Sequence, residues 1–187
     1  MPRAGLSAEV LVAEAGRLVD AEGADALTLA ALAQRFGVAQ PSLYKHVRGL
    51  EDLHGRLAVV TTRELGAGMR RAASGRSGAD ATAAVATAYR DHARAHPGGY
   101  GYLLRPRPDD PAHAEAAREV LDVLADVLAG YGIEDEESVV DAVRFLRSTL
   151  HGFVALEIAG GFAMARSADV SFEALVRAVD HALSAWH

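Results

Sequence analysis

The chain has 187 residues, enough for one large domain or two small ones, and 25 Asp and Glu outweigh 19 Lys and Arg for a net charge of −6. Half of it is hydrophobic, alanine is frequent, and aromatic and strand-favouring runs are scarce, so an all-α fold is expected. The lack of cysteine excludes disulfides, thiolate metal sites and cysteine nucleophiles. With no signal segment at the start and no apolar run of about eighteen residues, a cytoplasmic location without a membrane partner is expected.

Met1 to Gly5 is expected to be an idle arm, with Arg3 its one residue able to reach a phosphate or the minor groove. Ser7 is placed to cap a first helix running to about Glu22, with Leu11, Ala15, Leu18 and Val19 on its inner face and Gly23 as its stop. Thr28 caps the next, in which Leu29, Leu32, Ala33 and Phe36 recur at the three-and-four spacing of a buried face. Gly37 sits where a left-handed residue must end that helix, and Pro41 suits the first turn of another. Two short helices joined by a tight glycine turn predict a helix-turn-helix, whose second helix enters the DNA major groove. In that second helix Val38, Leu43 and Val47 are expected to face inward, leaving Gln40, Ser42, Tyr44, Lys45 and His46 to look out. Gln pairs bidentately with adenine, Ser serves as donor or acceptor, and Pro41 offers an apolar face to a thymine methyl. Tyr, Lys and His suit phosphate oxygens. A plain helical hairpin with a polar face is the alternative.

The stretch Gln40-Pro41-Ser42-Leu43-Tyr44-Lys45-His46-Val47 resembles the recognition helix of the tetracycline-repressor (TetR) family of bacterial transcription regulators. Leu27-Thr28-Leu29, Leu32-Ala33 and Gly37-Val38 match the same pattern, so the motif covers about the first fifty-five residues. The resemblance implies DNA contacts from Thr28, Gln40, Pro41, Ser42, Tyr44, Lys45, His46 and Arg48. There is one departure: the family's usual phosphate-touching lysine before the fourth helix is Leu50 here, so either Arg48 takes its place or one backbone contact is lost. Charge agrees with this placement only weakly. Residues 1–73 hold nine Lys/Arg against eight Asp/Glu, whereas residues 74–187 hold ten against seventeen. DNA affinity must then depend on where charges sit and on dimerisation.

A fourth helix is predicted from Glu51 to about Arg71, with Leu50, Leu53, Leu57 and Val60 packing on the helix-turn-helix. Ser74 to Gly78 is the one clear linker, which places a DNA-binding domain at 1–73 and a ligand-binding and dimerisation domain at 74–187. A helix from about Ala79 to Ala95 carries Val85, Ala88, Tyr89 and His92. Pro97-Gly98-Gly99 breaks it, a short segment from Tyr100 to Leu104 follows, and Pro106, Pro108 and Pro111 enforce a loop. From Pro111 to about Gly130, Ala117, Leu121, Leu124 and Leu128 mark the next apolar stripe. The longest helix, Glu134 to about Ala159, has one stripe through Val139, Val143, Leu146, Leu150 and Phe153 and another through His151, Val154 and Ile158. Phe172 to Trp186 is the last. A helix apolar on two faces has two neighbours to cover, so this pair is expected to build a four-helix homodimer interface from Leu146, Leu150, Phe153, Phe172, Leu175, Val179, Leu183 and Trp186. The stretch Leu146 to Glu157, with Gly160-Gly161-Phe162, is similar to a subgroup of the same family that bears a His-Gly signature.

His92 and His96 lie four apart on one helix, but nothing like His-Glu-x-x-His accompanies them, and no metal site is expected. The acidic run Glu134 to Glu137 suits a helix start. No phosphate loop or nucleophile elbow is present, Asp109-Asp110 has no assignable partner, and no cofactor is expected. His151 stands mid-helix among apolar residues beside Gly152, where an imidazole must find a partner or face a cavity. It is the leading candidate for a ligand pocket, with Tyr89, His92, Tyr102, Phe145 and Glu157 behind it.

The resulting expectation is an all-α protein of about nine helices: an N-terminal three-helix helix-turn-helix domain plus a C-terminal bundle, dimeric through the last two helices. It would be a ligand-responsive regulator, most simply a repressor, whose partners are double-stranded DNA with a palindromic operator, a small-molecule effector and a second copy of itself. A helical enzyme or small-molecule carrier with an incidental hairpin is the rival reading, and a constitutive DNA-binding or architectural protein a third.

Overall fold

The computed structural model describes residues 6–105, 107 and 109–186; Arg3, Pro106 and Pro108 lie outside them. Among the described residues there are eight α-helices, three 3-10 turns and no strand. Helix α1 (Ala8–Glu22) begins where the Ser7 hydroxyl accepts the Val10 N–H at 3.3 Å, and Gly23 closes it. After a 3-10 turn (Ala24–Ala26), α2 (Leu29–Phe36) starts on Thr28, whose Oγ1 accepts the Ala31 N–H at 3.0 Å. Gly37 is left-handed at φ 65°, which lets its own N–H reach Gln34 O and the Val38 N–H reach Ala33 O, at 3.1 and 3.0 Å. The segment Gln40–Lys45 follows as a 3-10 helix, then α3 (Leu50–Ala73), α4 (Gly78–Ala95) and the four-residue α5 (Pro97–Tyr100) with a 3-10 turn at Gly101–Leu104. Helices α6 (Pro111–Ala129), α7 (Glu136–Ile158) and α8 (Ala168–Ser184) complete the chain.

Two compact units result, one from Met1–Thr62 with His96–Glu115, the other from Arg63–Ala95 with Ala116–His187. This division does not follow the linker at 74–78, which falls inside the second unit. The chain passes between the units three times, within α3, between α4 and α5, and within α6.

The core of the first unit gathers Leu11, Leu18, Leu32, Leu43, Leu53 and, from the later segment, Tyr102. Leu50 and Phe36 lie partly buried against it. Helix α5 packs on α1 because residue 98 has no side chain: a Cβ there would lie 1.9 Å from Val19 O. Asp20 completes the seat, accepting the Gly99 N–H at 2.9 Å and lying 2.9 Å from His96 Nδ1. Gly98 thus serves close approach. In the second unit α4 packs on α7 and α8, and α7 on α8. Tyr131, between α6 and α7, donates to Asp180 of α8 at 2.7 Å and lies 2.9 Å from the Thr82 hydroxyl of α4.

Several expected faces shift. Val38, Val60 and Leu121 are exposed rather than inward, the last two because they fall on the far sides of their helices from buried Thr62 and Val123. Leu146, Leu150, Phe172, Val179 and Leu183, expected at a subunit interface, are buried within a single chain, where α4 joins α7 and α8 in covering them.

Candidate nucleic-acid interface and effector site

The recognition segment is built from its anchors outward. Ala39 is extended, Pro41 sets the first turn, and Ser42 and His46 donate backbone N–H groups to Ala39 O and Leu43 O, both at 2.9 Å. Leu43 and Val47 are buried and pin the segment to the core of the first unit. A 3-10 winding has three residues per turn, so residues three apart stand in rows. One row holds Gln40, Leu43 and His46 and turns inward at Leu43; the others pair Pro41 with Tyr44 and Ser42 with Lys45. Gln40, Pro41, Tyr44 and Lys45 are exposed, while Ser42 and His46 are half-buried. Thr28 is exposed with its oxygen capping α2. The polar face expected from sequence is therefore assembled on one short, tightly wound segment.

Its exit is fixed by a residue with a role that sequence reading missed. Asp52, in the first turn of α3, accepts the Arg48 N–H at 3.0 Å and Arg56 Nε at 3.1 Å. Burial pushes its carboxyl upward, but the Arg48 amide and the Arg56 guanidinium outweigh this and hold it below the usual aspartate range. The acid at the third position of the helix was the available signal, since it can reach back to an amide before the helix. Leu50 packs toward the core, and Arg48 is the exposed cation beside it.

The ligand candidates do not form one cluster. Tyr89 of α4 and His151 of α7 meet, with Tyr89 Oη 3.2 Å from His151 Nδ1. Burial, and then the nearby Arg147 charge, lower the affinity of His151 for a proton, so a neutral imidazole faces Tyr89. His92 stands one turn from Tyr89 and is half-buried. Phe145 instead packs on Trp186, ring centroids 5.5 Å apart, which also accounts for Trp186 within one chain. Tyr102 is a core residue of the first unit, 1% exposed and 2.7 Å from His54 Nδ1, and does not belong with the others. Glu157 is consumed by an ion pair. Arg90, buried on α4, gives Nε to Glu157 Oε2 at 2.8 Å and Nη2 to both Glu157 Oε1 and Asp169 Oδ1, the latter at 2.7 Å. Its guanidinium lies 4.6 Å from the centre of the Phe172 ring. Hydrogen bonds from Arg90 hold the Glu157 carboxyl low, and Glu157 in turn raises the arginine. Arg90 was legible in one respect: it lies four residues after buried Ala86 on the apolar face of α4, where a charge must find a partner.

Gly152 is exposed, and a Cβ there would meet nothing within 4 Å, so close helix packing inside the chain does not explain it. Of the remaining interface candidates, Phe153 packs on Phe162 and Phe172, with centroids 4.7 and 5.3 Å away, and Leu175 is half-buried. Among the described residues no group of His, Cys, Asp or Glu could hold a metal ion, and no helix is long and apolar enough to cross a membrane.

A family profile described as "Tetracyclin repressor-like, C-terminal domain" matches residues 82–179. The chain is 39% identical over 160 residues to an HTH-type transcriptional regulator of Mycobacterium tuberculosis, Rv0681, covering 84% of this chain and 72% of that protein. The structure of SCO7222, a TetR from Streptomyces coelicolor, superimposes with a TM-score of 0.77 at 21% identity, covering 97% of this chain and 99% of that one. The TetR family protein ActR of Streptomyces coelicolor, in complex with (S)-DNPA, gives a TM-score of 0.69 at 19% identity over 97% and 98% of the two chains. With its helix-turn-helix, its all-helical second unit and this kinship, the chain belongs to the tetracycline-repressor family of helix-turn-helix transcription regulators.

Proposed function

We propose that the protein is a cytoplasmic homodimeric repressor that binds a palindromic operator and releases it when a small molecule occupies its second unit. The observation that carries this reading is the recognition segment, where buried Leu43 and Val47 fix the backbone and Gln40, Pro41, Tyr44 and Lys45 are left to the solvent. The first unit reads DNA and the second serves dimerisation and effector binding. One recognition segment captures a half-site, and a two-fold dimer sets two of them about one DNA turn apart, roughly 34–36 Å. Small exposed residues suit the dimer contact: Ser148, Gly152 and Ala159 on the α7 side, Ala174, Ala178 and Ala185 on the α8 side. They replace the buried stripe that the sequence suggested.

An effector in the second unit is supported by the structural neighbour in complex with (S)-DNPA and by the Tyr89–His151 pair, a half-buried polar contact between α4 and α7. It must bind the DNA-free form better, and operator DNA must then weaken its binding by the same factor.

Selection of bound sites from random duplexes tests the reading. Two inverted half-sites should emerge. Gln40→Ala should relax one position by about 1–3 kcal/mol of discrimination. Lys45→Ala should weaken all duplexes alike and flatten the salt slope by about 0.9 per lost phosphate contact. No enriched sequence, or a preference altered by Lys45 and not by Gln40, would reject it.

A further inference from the structure

Few cations of the first unit are free to meet a DNA backbone. Among its described residues, Arg17 and Arg35 are tied to Glu14 and Glu22, and Arg56 to Asp52, which also accepts the Arg48 amide. Beside the recognition segment that leaves Lys45 and Arg48, a small electrostatic footprint for a polyanion. One more cation is carried to the same end of α3 from far along the chain. Arg107 donates from Nη2 to Oε1 of Glu51, in the first turn of that helix, at 2.6 Å.

The guanidinium has a seat prepared for it. One turn along α3, residue 55 has no side chain, and a Cβ there would lie 3.3 Å from Arg107 Nη1. The Arg107 side chain is mostly covered, at 23% exposure, whereas that of Glu51 is 81% exposed. Arg107 Nε is buried with no hydrogen-bond partner among the described residues. A group with five N–H donors thus has one described acceptor, a carboxylate that water reaches freely. Asp110 is the other acid at this spot, its Oδ2 3.8 Å from the Cβ position at 55. Its Oδ1 is occupied in capping α6, where it accepts the Ala112 N–H at 3.0 Å.

Location gives this pair a chemical meaning. The recognition segment ends at Lys45 and α3 starts at Leu50. The major groove is about 12 Å wide, so a chain leaving it over a few residues crosses a phosphate strand. Arginine side chains at such a crossing take phosphate oxygens. An ion pair with so exposed a partner is held weakly against water and salt. A phosphate offers the guanidinium fork the same paired oxygens as a carboxylate. Exchange of one for the other therefore loses little and gains a contact with the backbone.

We infer that Arg107 is a phosphate-contacting residue of the DNA site, and that Glu51 holds its guanidinium in place until a DNA phosphate displaces the carboxylate. The inference rests on the DNA-binding reading above and adds to that interface a residue from outside the helix-turn-helix. Arg107 positions the chain on the backbone and reads no base.

Methylphosphonate scanning tests it. In the operator recovered by selection, the phosphates of one half-site are replaced in turn by uncharged methylphosphonate. At one phosphate the wild type should lose about three- to tenfold, the value of one hydrogen bond. Arg107→Gln should lose a similar factor on the unmodified operator and nothing further at that phosphate. It should also flatten the salt slope by about 0.9 per half-site. Arg105→Gln, which removes a cation 5.5 Å from the centre of the Tyr102 ring, should keep the full effect at that phosphate. Glu51→Gln should bind more tightly than the wild type, and adding Arg107→Gln to it should still cost about three- to tenfold. If Arg107 merely screened Glu51 from the DNA, the double variant would bind as tightly as Glu51→Gln alone. That result, or an Arg107→Gln variant as sensitive as the wild type at every phosphate, overturns the inference while leaving the operator itself intact. Failure of the wild type to select any operator would instead overturn the reading beneath it. Melting curves accompany each variant. Should Arg107→Gln unfold, Arg107→Met, which keeps the packing of the apolar stem, carries the same cycle with the same outcomes.

Discussion

Arg90→Met is the most severe test of how the second unit holds together. The wild-type guanidinium is 8% exposed and sits between Glu157, 15% exposed, and Asp169, 65% exposed. The two carboxylates respond differently to its loss. Asp169 returns to water, and its share is that of a surface pair, about 0–1 kcal/mol. Glu157 stays largely covered without its cation, and removing one partner of a buried pair costs about 3–5 kcal/mol. Loss of the cation over the Phe172 ring adds about 0.5–2 kcal/mol. The total is about 3.5–8 kcal/mol, and for a chain of this size each kcal/mol shifts the melting point by about 2–4 °C. A fall of at least about 7 °C is expected. The pH dependence gives a second reading. In the wild type the Glu157 carboxyl is held below its ordinary value of 4.5, so its contribution is complete above that pH and is lost as pH falls through the folded value. In Arg90→Met the covered, uncompensated carboxyl moves the other way, and protonation relieves it. The gap between variant and wild type should therefore narrow on going from neutral to mildly acid buffer. Urea titrations at both pH values supply the measurement, with Arg90→Met combined with Glu157→Met expected to recover much of the loss. A gap below about 1 kcal/mol, or one that does not change with pH, would refute the account.

Two further outcomes follow from packing. Gly98→Ala places a methyl group on the backbone of Val19 and Asp20, which cannot yield as a side chain would, so a loss of about 1–3 kcal/mol or more is expected in denaturation. Unchanged stability would mean that α5 is not seated on α1 as described. Ala178→Glu, on the exposed face of α8, should yield monomers in light scattering with weakened operator binding, whereas Val179→Glu should unfold the chain. A dimeric Ala178→Glu would remove that face from the proposed interface.

What was legible in the sequence was what local rules govern. Ser7, Thr28 and Asp135 each cap a helix, Gly37 is left-handed, and Pro41 stands in a first turn, all as short-range chemistry requires. What escaped depends on distant partners. Nothing near Tyr102 announces His54, and nothing near Arg90 announces acids 67 and 79 residues away. A stripe buried by neighbouring helices and a stripe buried by a second subunit have the same period, which is why the pattern alone does not show that Leu146, Leu150 and Val179 are buried within one chain. The winding of Gln40–Lys45 also escaped, since a 3-10 helix and an α-helix differ little over six residues of pattern.

The interleaving of the two units has a consequence for synthesis. A ribosome delivers residues 1–62 first, but the unit that holds the helix-turn-helix also needs residues 96–115, whose Tyr102 and Gly98 complete its core and its seat on α1. At 5–20 residues per second that interval lasts about 3–10 s. During it the nascent helix-turn-helix lacks part of its core, while α4, which belongs to the other unit, has already been made. The first unit to begin folding is thus obliged to wait for a segment made after part of the second.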